Sequence, residues 1–158
     1  MFGKIETPFG RMLIETQGGA VVRVYLPGQE PPHGYAEADA PVLEQAKAQL
    51  EQYFAGARRV FDLPLDFSGC TDFMVRVYSE LMRVPYGETA SYKHIAERVG
   101  SPRAYRAVGL ANNKNPLPII VPCHRILGAD GGLVGYAGGL ELKARLLELE
   151  HQASSIMV

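Results

Sequence analysis

Cys123 stands between Pro122 and His124 and is one of only two cysteines in the chain, the other being Cys70. A thiol reacts as its thiolate, so a nucleophilic cysteine needs a base or positive surroundings. His124 and Arg125 follow directly and could supply both. The alternative is a small buried hydrophobic residue, which is what most free cysteines are. Both interpretations stay open at this point.

The local backbone decides whether His124 can reach the thiol. The apolar run from Leu117 to Val121 predicts a short buried strand or extended segment leading into Cys123. Neighbouring residues of a strand point to opposite faces. His124 could therefore take the thiol proton directly only if the backbone bends here, and otherwise a water must relay it.

Two short helices are predicted upstream of this segment. Ser91 begins one that ends at Gly100, and Ser101-Pro102 begins a second that runs to about Asn112, with serine as N-cap and proline at the first helical position. Two short helices joined by a tight glycine-containing turn are typical of a helix-turn-helix, although many α-helical domains contain such a pair.

The basic residues of the chain are concentrated in the same region. Between Arg83 and Arg125 there are seven basic and two acidic residues, a local net charge of +5, whereas the whole chain carries −1. The first 69 residues have six basic and nine acidic residues, a net charge of −3. A confined basic segment suits a phosphate backbone, with a solvated basic face as the alternative. Its coincidence with the helix pair favours DNA binding.

The first part of the chain predicts a small α/β unit. Alternating residues from Arg11 to Leu26 around Gly18-Gly19 predict a β-hairpin. Asp39 is a candidate cap for a helix that runs to about Ala55. The segment from Leu63 to Gly69 shows neither helical nor strand periodicity and is therefore interpreted as a linker.

We therefore predict domains at 1–66 and 67–158. In the second, Thr71 is a candidate cap for a helix that stops before Pro85. A last amphipathic helix is predicted from Leu140 to Glu150. Its inward residues are predicted to be Leu140, Ala144 and Leu147.

Composition narrows the class of protein. A chain of 158 residues that is 47% hydrophobic can bury a core, which argues against disorder. No apolar run reaches the roughly 20 residues of a membrane span, and the start lacks the apolar stretch of a signal peptide, so a cytoplasmic protein is expected. The cysteines and histidines have no metal-ligand spacing, so neither a disulfide framework nor a metal site is predicted.

Six short motifs identify a resemblance. The segment from Val84 to Glu150 resembles the catalytic domain of the O6-alkylguanine-DNA alkyltransferases, also called methylated-DNA–protein-cysteine methyltransferases, in motif order and spacing. The first 65 residues resemble, less specifically, the variable N-terminal domain of that family. The motifs are Val84-Pro85-Tyr86-Gly87-Glu88-Thr89, Ser91-Tyr92, Arg106-Ala107-Val108-Gly109, Asn115-Pro116, Pro122-Cys123-His124-Arg125 and Gly135-Tyr136-Ala137-Gly138-Gly139.

The resemblance implies a fold and an activity. The fold is an α/β N-terminal domain, ribonuclease H-like with a small sheet plus helix, followed by a mainly α, winged-helix-like helix-turn-helix catalytic domain. The activity is direct-reversal DNA repair. One alkyl group, typically methyl, moves irreversibly from O6-alkylguanine in duplex DNA to Cys123 after the base is flipped out, with O4-alkylthymine as a further candidate substrate. No cofactor is implied, and a monomer with no membrane association is expected.

The resemblance also implies roles for residues. His124 accepts the thiol proton of Cys123 through a water, Glu150 orients the histidine, Tyr92 places a hydroxyl near the leaving oxygen, and Asn115 braces the turn around the site. Arg106 would fill the stack that the flipped base leaves. The full implied DNA-binding set is Ser91, Arg103, Tyr105, Arg106, Ala107, Gly109 and Arg125, and the implied base pocket is Val134, Tyr136, Ala137 and Gly138.

The chain departs from the family at three positions, and three alternatives remain. Met74 and Tyr78 stand where the family often has glutamine and tryptophan, and Tyr105 stands in the recognition helix where a small residue is usual. One alternative is a non-catalytic lesion binder, whose relatives lack the cysteine. Another is a cysteine hydrolase that uses Cys123, His124 and Glu150. A plain helix-turn-helix regulator would not need Cys123.

Overall fold

A computed structural model describes residues 1–156. The chain divides into two compact units, Met1–Phe67 and a second that begins at Ser68. In the described residues, none of the helices is long and apolar enough to span a bilayer.

The first unit is a three-stranded antiparallel sheet covered by one helix. Strands β1 (Phe2–Thr7), β2 (Gly10–Gln17) and β3 (Ala20–Tyr25) lie in that order. The predicted hairpin is confirmed as β2 and β3, which turn at Gly18 and Gly19, both with positive φ. Helix α1 (Pro41–Phe54) buries Leu43, Ala46, Gln49, Leu50, Tyr53 and Phe54.

The predicted cap of α1 is wrong. Ala40 is the N-cap residue and makes no side-chain capping bond, so Asp39 lies before the helix. Pro41 occupies the first helical position, where its missing N–H costs nothing and its fixed φ suits the helix. Proline, rather than a capping carboxylate, begins α1.

The second unit is mainly helical, as predicted. Helix α2 (Asp72–Leu81) is capped by Thr71, and helix α3 (Tyr92–Arg98) is capped by Ser91, whose Oγ accepts from the His94 N–H at 3.0 Å. Helix α4 (Tyr105–Asn113) follows, and then a short 3-10 helix formed by Cys123–Arg125. Strands β4 (Ala90–Ser91) and β5 (Ile126–Leu127) pair in parallel, and helix α5 is Leu140–Ile156.

Helix α4 begins later than the sequence predicts. Ser101 and Pro102 form a turn in which the Ala104 N–H donates to the Ser101 carbonyl at 2.8 Å, and Ala104 is the N-cap residue. Proline also favours the second position of a β-turn, so the same pair of residues suits a turn as well as a helix start. Arg103 therefore lies in the turn and not in the helix.

The segment before Cys123 is a buried turn and not a strand, contrary to the prediction. Ile119 has a φ of 74°, a left-handed conformation that is a genuine outlier for a β-branched residue. The Asn115 side chain brackets the turn, since its Nδ2 donates to the Val121 carbonyl at 2.8 Å and its Oδ1 accepts from the Leu117 N–H at 2.9 Å. The two hydrogen bonds of the Asn115 side chain stabilise this turn, in place of the hydrogen bonds that a neighbouring strand would supply.

The predicted inner face of α5 is also wrong. Leu140 is 47% exposed, and Ala144 and Leu147 are only half-buried. The buried residues are instead Lys143, Leu146, Glu150 and Ala153. The prediction chose the leucines because it used hydrophobicity alone. In the structure, Lys143 and Glu150 face inward because both have internal hydrogen-bond partners.

Candidate active site

The Cys123 thiol is buried and faces polar groups from three segments of the second unit. Its side chain is next to the Asn115 amide, the Lys143 ammonium and the Tyr136 hydroxyl. Burial raises the pKa of the thiol to about 11, against the opposing effect of these three groups. Cys123 is therefore a neutral thiol near pH 7 and needs a base before it can act as a nucleophile.

Beside the thiol lies a buried network of charged side chains centred on Glu150. Glu150 Oε2 lies 2.5 Å from His124 Nε2, and Arg125 donates to both carboxylate oxygens, from Nε at 2.8 Å and from Nη2 at 3.1 Å. Burial opposes ionisation of Glu150, but the hydrogen bonds and charges of His124 and Arg125 outweigh it and lower its pKa to about 2. Glu150 is thus a carboxylate whose charge Arg125 balances.

This network argues against the role predicted for Arg125. Its side chain is only 6% exposed, and its Nη1 donates to the Val84 carbonyl at 2.8 Å. Three of the five guanidinium N–H donors thus bind a buried carboxylate or a backbone carbonyl. Arg125 therefore belongs to the interior of the unit, and its burial argues against the predicted contact with DNA.

The same network fixes the protonation of His124. Burial lowers the pKa of the ring, the effect of Glu150 opposes this, and the positive charges of Arg125 and Lys143 lower the pKa further. The neutral ring can satisfy an ionised carboxylate only by donating from Nε2, so Nδ1 carries the free lone pair. Nδ1 is buried and has no hydrogen-bond partner among the described residues.

No hydrogen bond joins the His124 ring to the thiol of Cys123 in the described part of the chain. The two residues share one 3-10 helix, so the opposite-face argument for a strand does not apply. A ring whose unprotonated Nδ1 has no hydrogen bond to the thiol fits a relayed proton better than direct transfer.

The glycine-rich segment before α5 is held against the site by two side chains. The Tyr92 hydroxyl donates to the Val134 carbonyl at 3.0 Å, and Lys143 Nζ donates to the carbonyls of Val134 at 2.9 Å and Gly135 at 3.3 Å. Burial raises the pKa of Tyr92, so its hydroxyl remains a donor. Of the predicted pocket residues, Tyr136 and Gly138 are half-buried, while Val134 and Ala137 are exposed.

Helix α4 presents a basic surface outward and supports the site inward. We call the exposed residues Arg103, Tyr105, Arg106 and Ala107 the α4 surface; Tyr105 is 48% exposed. Gly109 faces Tyr92, since a Cβ there would lie 3.9 Å from the tyrosine ring. Tyr78, one of the departures from the family, is fully buried and donates to the Ala111 carbonyl at 2.8 Å.

Two polar residues of the site were missed at the sequence level. Lys143 lies seven residues before Glu150 and shares its helical face, so this spacing could have revealed it. Asn112 is 2% exposed, and its Nδ2 donates to the Cys123 carbonyl at 3.3 Å. Nothing in the sequence distinguishes Asn112 from Asn113, which is exposed. In the described residues, no three His, Cys, Asp or Glu side chains could hold a metal ion.

Comparisons with known proteins agree over both units. Residues 1–67 match the family described as 6-O-methylguanine DNA methyltransferase, ribonuclease-like domain, and residues 72–152 match its DNA binding domain. A constitutive methylated-DNA–protein-cysteine methyltransferase of Bacillus subtilis is 45% identical over 152 residues, 92% of each chain. Its counterpart in Methanosarcina barkeri is 48% identical, over 92% of this chain and 94% of the relative.

A solved structure is similar over nearly the whole chain. The crystal structure of Mycobacterium tuberculosis OGT in complex with DNA superimposes with a TM-score of 0.87 at 42% identity. The match covers 96% of this chain and 93% of that one.

Proposed function

This chain belongs to the 6-O-methylguanine DNA methyltransferase family, and from that premise we propose that Cys123 is the residue that accepts the alkyl group. The resemblance seen in the sequence motifs is confirmed. The function is direct-reversal DNA repair, in which a methyl group moves from DNA to a cysteine of the protein. The non-catalytic, hydrolase and regulator alternatives are set aside.

The surroundings of the two cysteines support the choice of Cys123. Its thiol faces an amide, an ammonium and a phenol hydroxyl, and adjoins a neutral histidine held by an ionised carboxylate. Cys70 is half-buried and lies before α2, outside this arrangement. The cluster around Cys123 is the observation that carries the proposal.

The proposed reaction is one displacement at the alkyl carbon. The thiol proton passes through a bridging water to Nδ1 of His124, and Lys143 and Tyr136 stabilise the thiolate that forms. The sulfur then attacks the alkyl carbon. A carbon–sulfur bond forms, the bond from carbon to guanine O6 breaks, and its electron pair stays on the guanine. The guanine takes up one proton, so the net result is a thioether and an unmodified base.

Tyr92 and Asn115 position the reacting groups in this proposal. The Tyr92 hydroxyl, kept protonated by burial, can donate toward the leaving oxygen once the base displaces it from Val134. Asn115 holds the turn before Cys123 and presents its amide to the thiol. A thioether has no inexpensive route back to a thiol, so each molecule acts once and no cofactor takes part.

DNA is the partner, and we propose that it docks on the α4 surface. Arg106 would enter the stack when O6-alkylguanine flips out of the duplex, and Arg103 would contact phosphate. Val134, Tyr136, Ala137 and Gly138 would line the pocket for the flipped base. We propose that the protein acts as a monomer. We also propose that it acts in the cytoplasm, because a nucleophilic free thiol requires a reducing compartment.

Peptide masses test the choice of cysteine. The protein is incubated with duplex DNA containing O6-methylguanine and digested with trypsin, which places Cys123 in the peptide 115–125 and Cys70 in the peptide 60–76. We expect one added methyl on peptide 115–125 alone. Cys123→Ala should abolish transfer and retain DNA binding, whereas the matched Cys70→Ala should transfer normally. A methyl on peptide 60–76, or none on either, would overturn the proposal.

A further inference from the structure

Exposed apolar side chains of the second unit lie beside the proposed DNA face. Leu110 on α4 is 62% exposed, and Val134 and Leu133, in the glycine-rich segment before α5, are 44% and 38% exposed. A single exposed leucine is ordinary, whereas a group of exposed apolar residues marks a contact surface. Leu110 has no role in the reaction proposed above, so its exposure calls for an explanation.

The position of Leu110 on α4 links it to the DNA face. Leu110 lies one turn after Arg106 on the outward face of the helix. The rise of an α-helix places it about 6 Å further along the axis. The same end of α4 adjoins the glycine-rich segment, because a Cβ at Gly135 would lie 3.4 Å from Asn113 Oδ1. We call Leu110, Leu133 and Val134 the apolar rim, which continues the α4 surface toward the proposed base pocket.

The charges around the apolar rim favour duplex DNA as its partner. Arg106 on α4 and Lys114 at its C-cap are exposed on either side of Leu110, and the chain has no acidic residue from Gly100 to Ala129. An apolar contact between positive charges suits a base edge between two phosphate backbones. With Arg106 in the stack, Leu110 faces a neighbouring base pair, because stacked pairs are spaced about 3.4 Å apart.

We propose that Leu110 contacts the base pair beside the lesion and favours A·T over G·C at that position. This inference rests on the proposed function, with DNA docked on the α4 surface. In the minor groove, a G·C pair adds an amino group that a leucine would cover without accepting its hydrogen bond. In the major groove, an A·T pair presents the thymine methyl, against which a leucine can pack. Leu110 is thus a residue that determines the preferred sequence context of repair.

The experiment varies only the pairs that flank the lesion. Single-turnover transfer to Cys123 is measured on O6-methylguanine duplexes with flanking A·T pairs or flanking G·C pairs. The proteins are the wild type, Leu110→Ala and, as matched control, Met82→Ala, which removes an exposed apolar side chain at the end of α2. We expect the ratio of the A·T rate to the G·C rate to fall about tenfold in Leu110→Ala and to stay unchanged in Met82→Ala.

Two features of this design isolate the contact of Leu110 with DNA. The cost of opening each duplex cancels in the comparison, because every protein is tested on the same two duplexes. Reaction with free O6-benzylguanine should be the same in all three proteins, since a free base has no flanking pair. An equal loss with the free base would place Leu110 in the alkyl-transfer step and overturn the proposal.

Base analogues identify the edge that Leu110 contacts. Inosine in place of a flanking guanine removes the amino group from the minor groove, and uracil in place of a flanking thymine removes the methyl from the major groove. A faster rate with inosine, or a slower rate with uracil, that disappears in Leu110→Ala would support the contact. No effect of either analogue in the wild type would overturn it.

The remaining outcomes separate this inference from the proposed function. An unchanged rate ratio in folded Leu110→Ala protein would overturn the role of Leu110 while leaving transfer to Cys123 intact. A change in the oligomeric state of the free protein without a change in the ratio would assign Leu110 to a contact between copies of the chain, and would also overturn it. Absence of methyl on Cys123 with either duplex would overturn both proposals together.

Discussion

Charged groups are used in opposite ways in two regions of the second unit. His124, Arg125, Lys143 and Glu150 form the buried charge cluster, in which every side chain is nearly or fully inaccessible and each has a partner. On the α4 surface, Arg103 and Arg106 are exposed, and in the described residues neither forms an ion pair. The charges beside Cys123 are fixed by internal partners, whereas the charges on the α4 surface are left free to meet a partner.

The buried cluster has an energetic cost that the first unit avoids. The core of Met1–Phe67 buries only Thr16 and Gln49 as polar residues, both uncharged. Removing charges from water is expensive, and a buried ion pair seldom stabilises a fold more than well-packed apolar residues would. The cluster is therefore better explained by the protonation state that it imposes on His124 and Cys123 than by stability.

Glu150→Gln is the strongest way to break the buried cluster. It leaves the Arg125 charge uncompensated and removes the carboxylate that orients His124, so the free energy of unfolding should fall by about 3–5 kcal/mol. Transfer should slow about 100-fold with duplex and free-base substrates alike. Urea unfolding and single-turnover rates measure both effects.

The control for Glu150→Gln is Glu148→Gln, on the exposed side of the same helix. It should change stability by no more than about 0.5 kcal/mol. Equal effects of the two substitutions would mean that burial of Glu150 has no special role.

Lys143→Met tests the electrostatic part of the cluster. The ammonium lowers the pKa of the Cys123 thiol, so its removal should raise that pKa further and slow transfer about tenfold. The thiol pKa can be followed by the pH dependence of alkylation with a small electrophile. A slower rate with no change in the thiol pKa would assign Lys143 only to holding the carbonyls of Val134 and Gly135.

Acid should weaken the second unit before the first. The folded pKa of His124 lies below its usual 6.5 and that of Glu150 falls from 4.5 to about 2, so in both cases the unfolded chain binds the proton more readily. These contributions to stability are present above pH 6.5 and 4.5 and are lost as pH falls through each folded pKa. Hydrogen exchange from pH 7 to 3 should show α5 amides losing protection before those of β2, and the reverse order would contradict this.

Arg106→Ala should have the narrowest effect, because it is confined to duplex DNA. Repair of O6-methylguanine in a duplex should slow about tenfold, while reaction with free O6-benzylguanine should stay unchanged, because only the duplex requires flipping. Arg103→Ala is the matched control and should weaken DNA binding without this selective loss. Equal losses on both substrates would mean that Arg106 acts in the alkyl-transfer step and not in DNA docking.

The sequence by itself determined features whose signals are local. The β2–β3 hairpin follows from alternation and two glycines, and the starts of α2 and α3 follow from Thr71 and Ser91, whose side chains cap the helices that they begin. The motifs also indicated the family. Turns, caps and periodicity depend on residues close together in the chain, so one sequence is enough to predict them.

Only the tertiary structure decided which charged residues are buried. Arg125 looked like part of a basic surface, yet it pairs with Glu150, 25 residues later, and with the carbonyl of Val84, 41 residues earlier. The inner face of α5 was misassigned for the same reason, since Lys143 and Glu150 turn inward toward partners that hydrophobicity does not register. A charge can be buried only where distant groups neutralise it, and distant groups meet only in the folded chain.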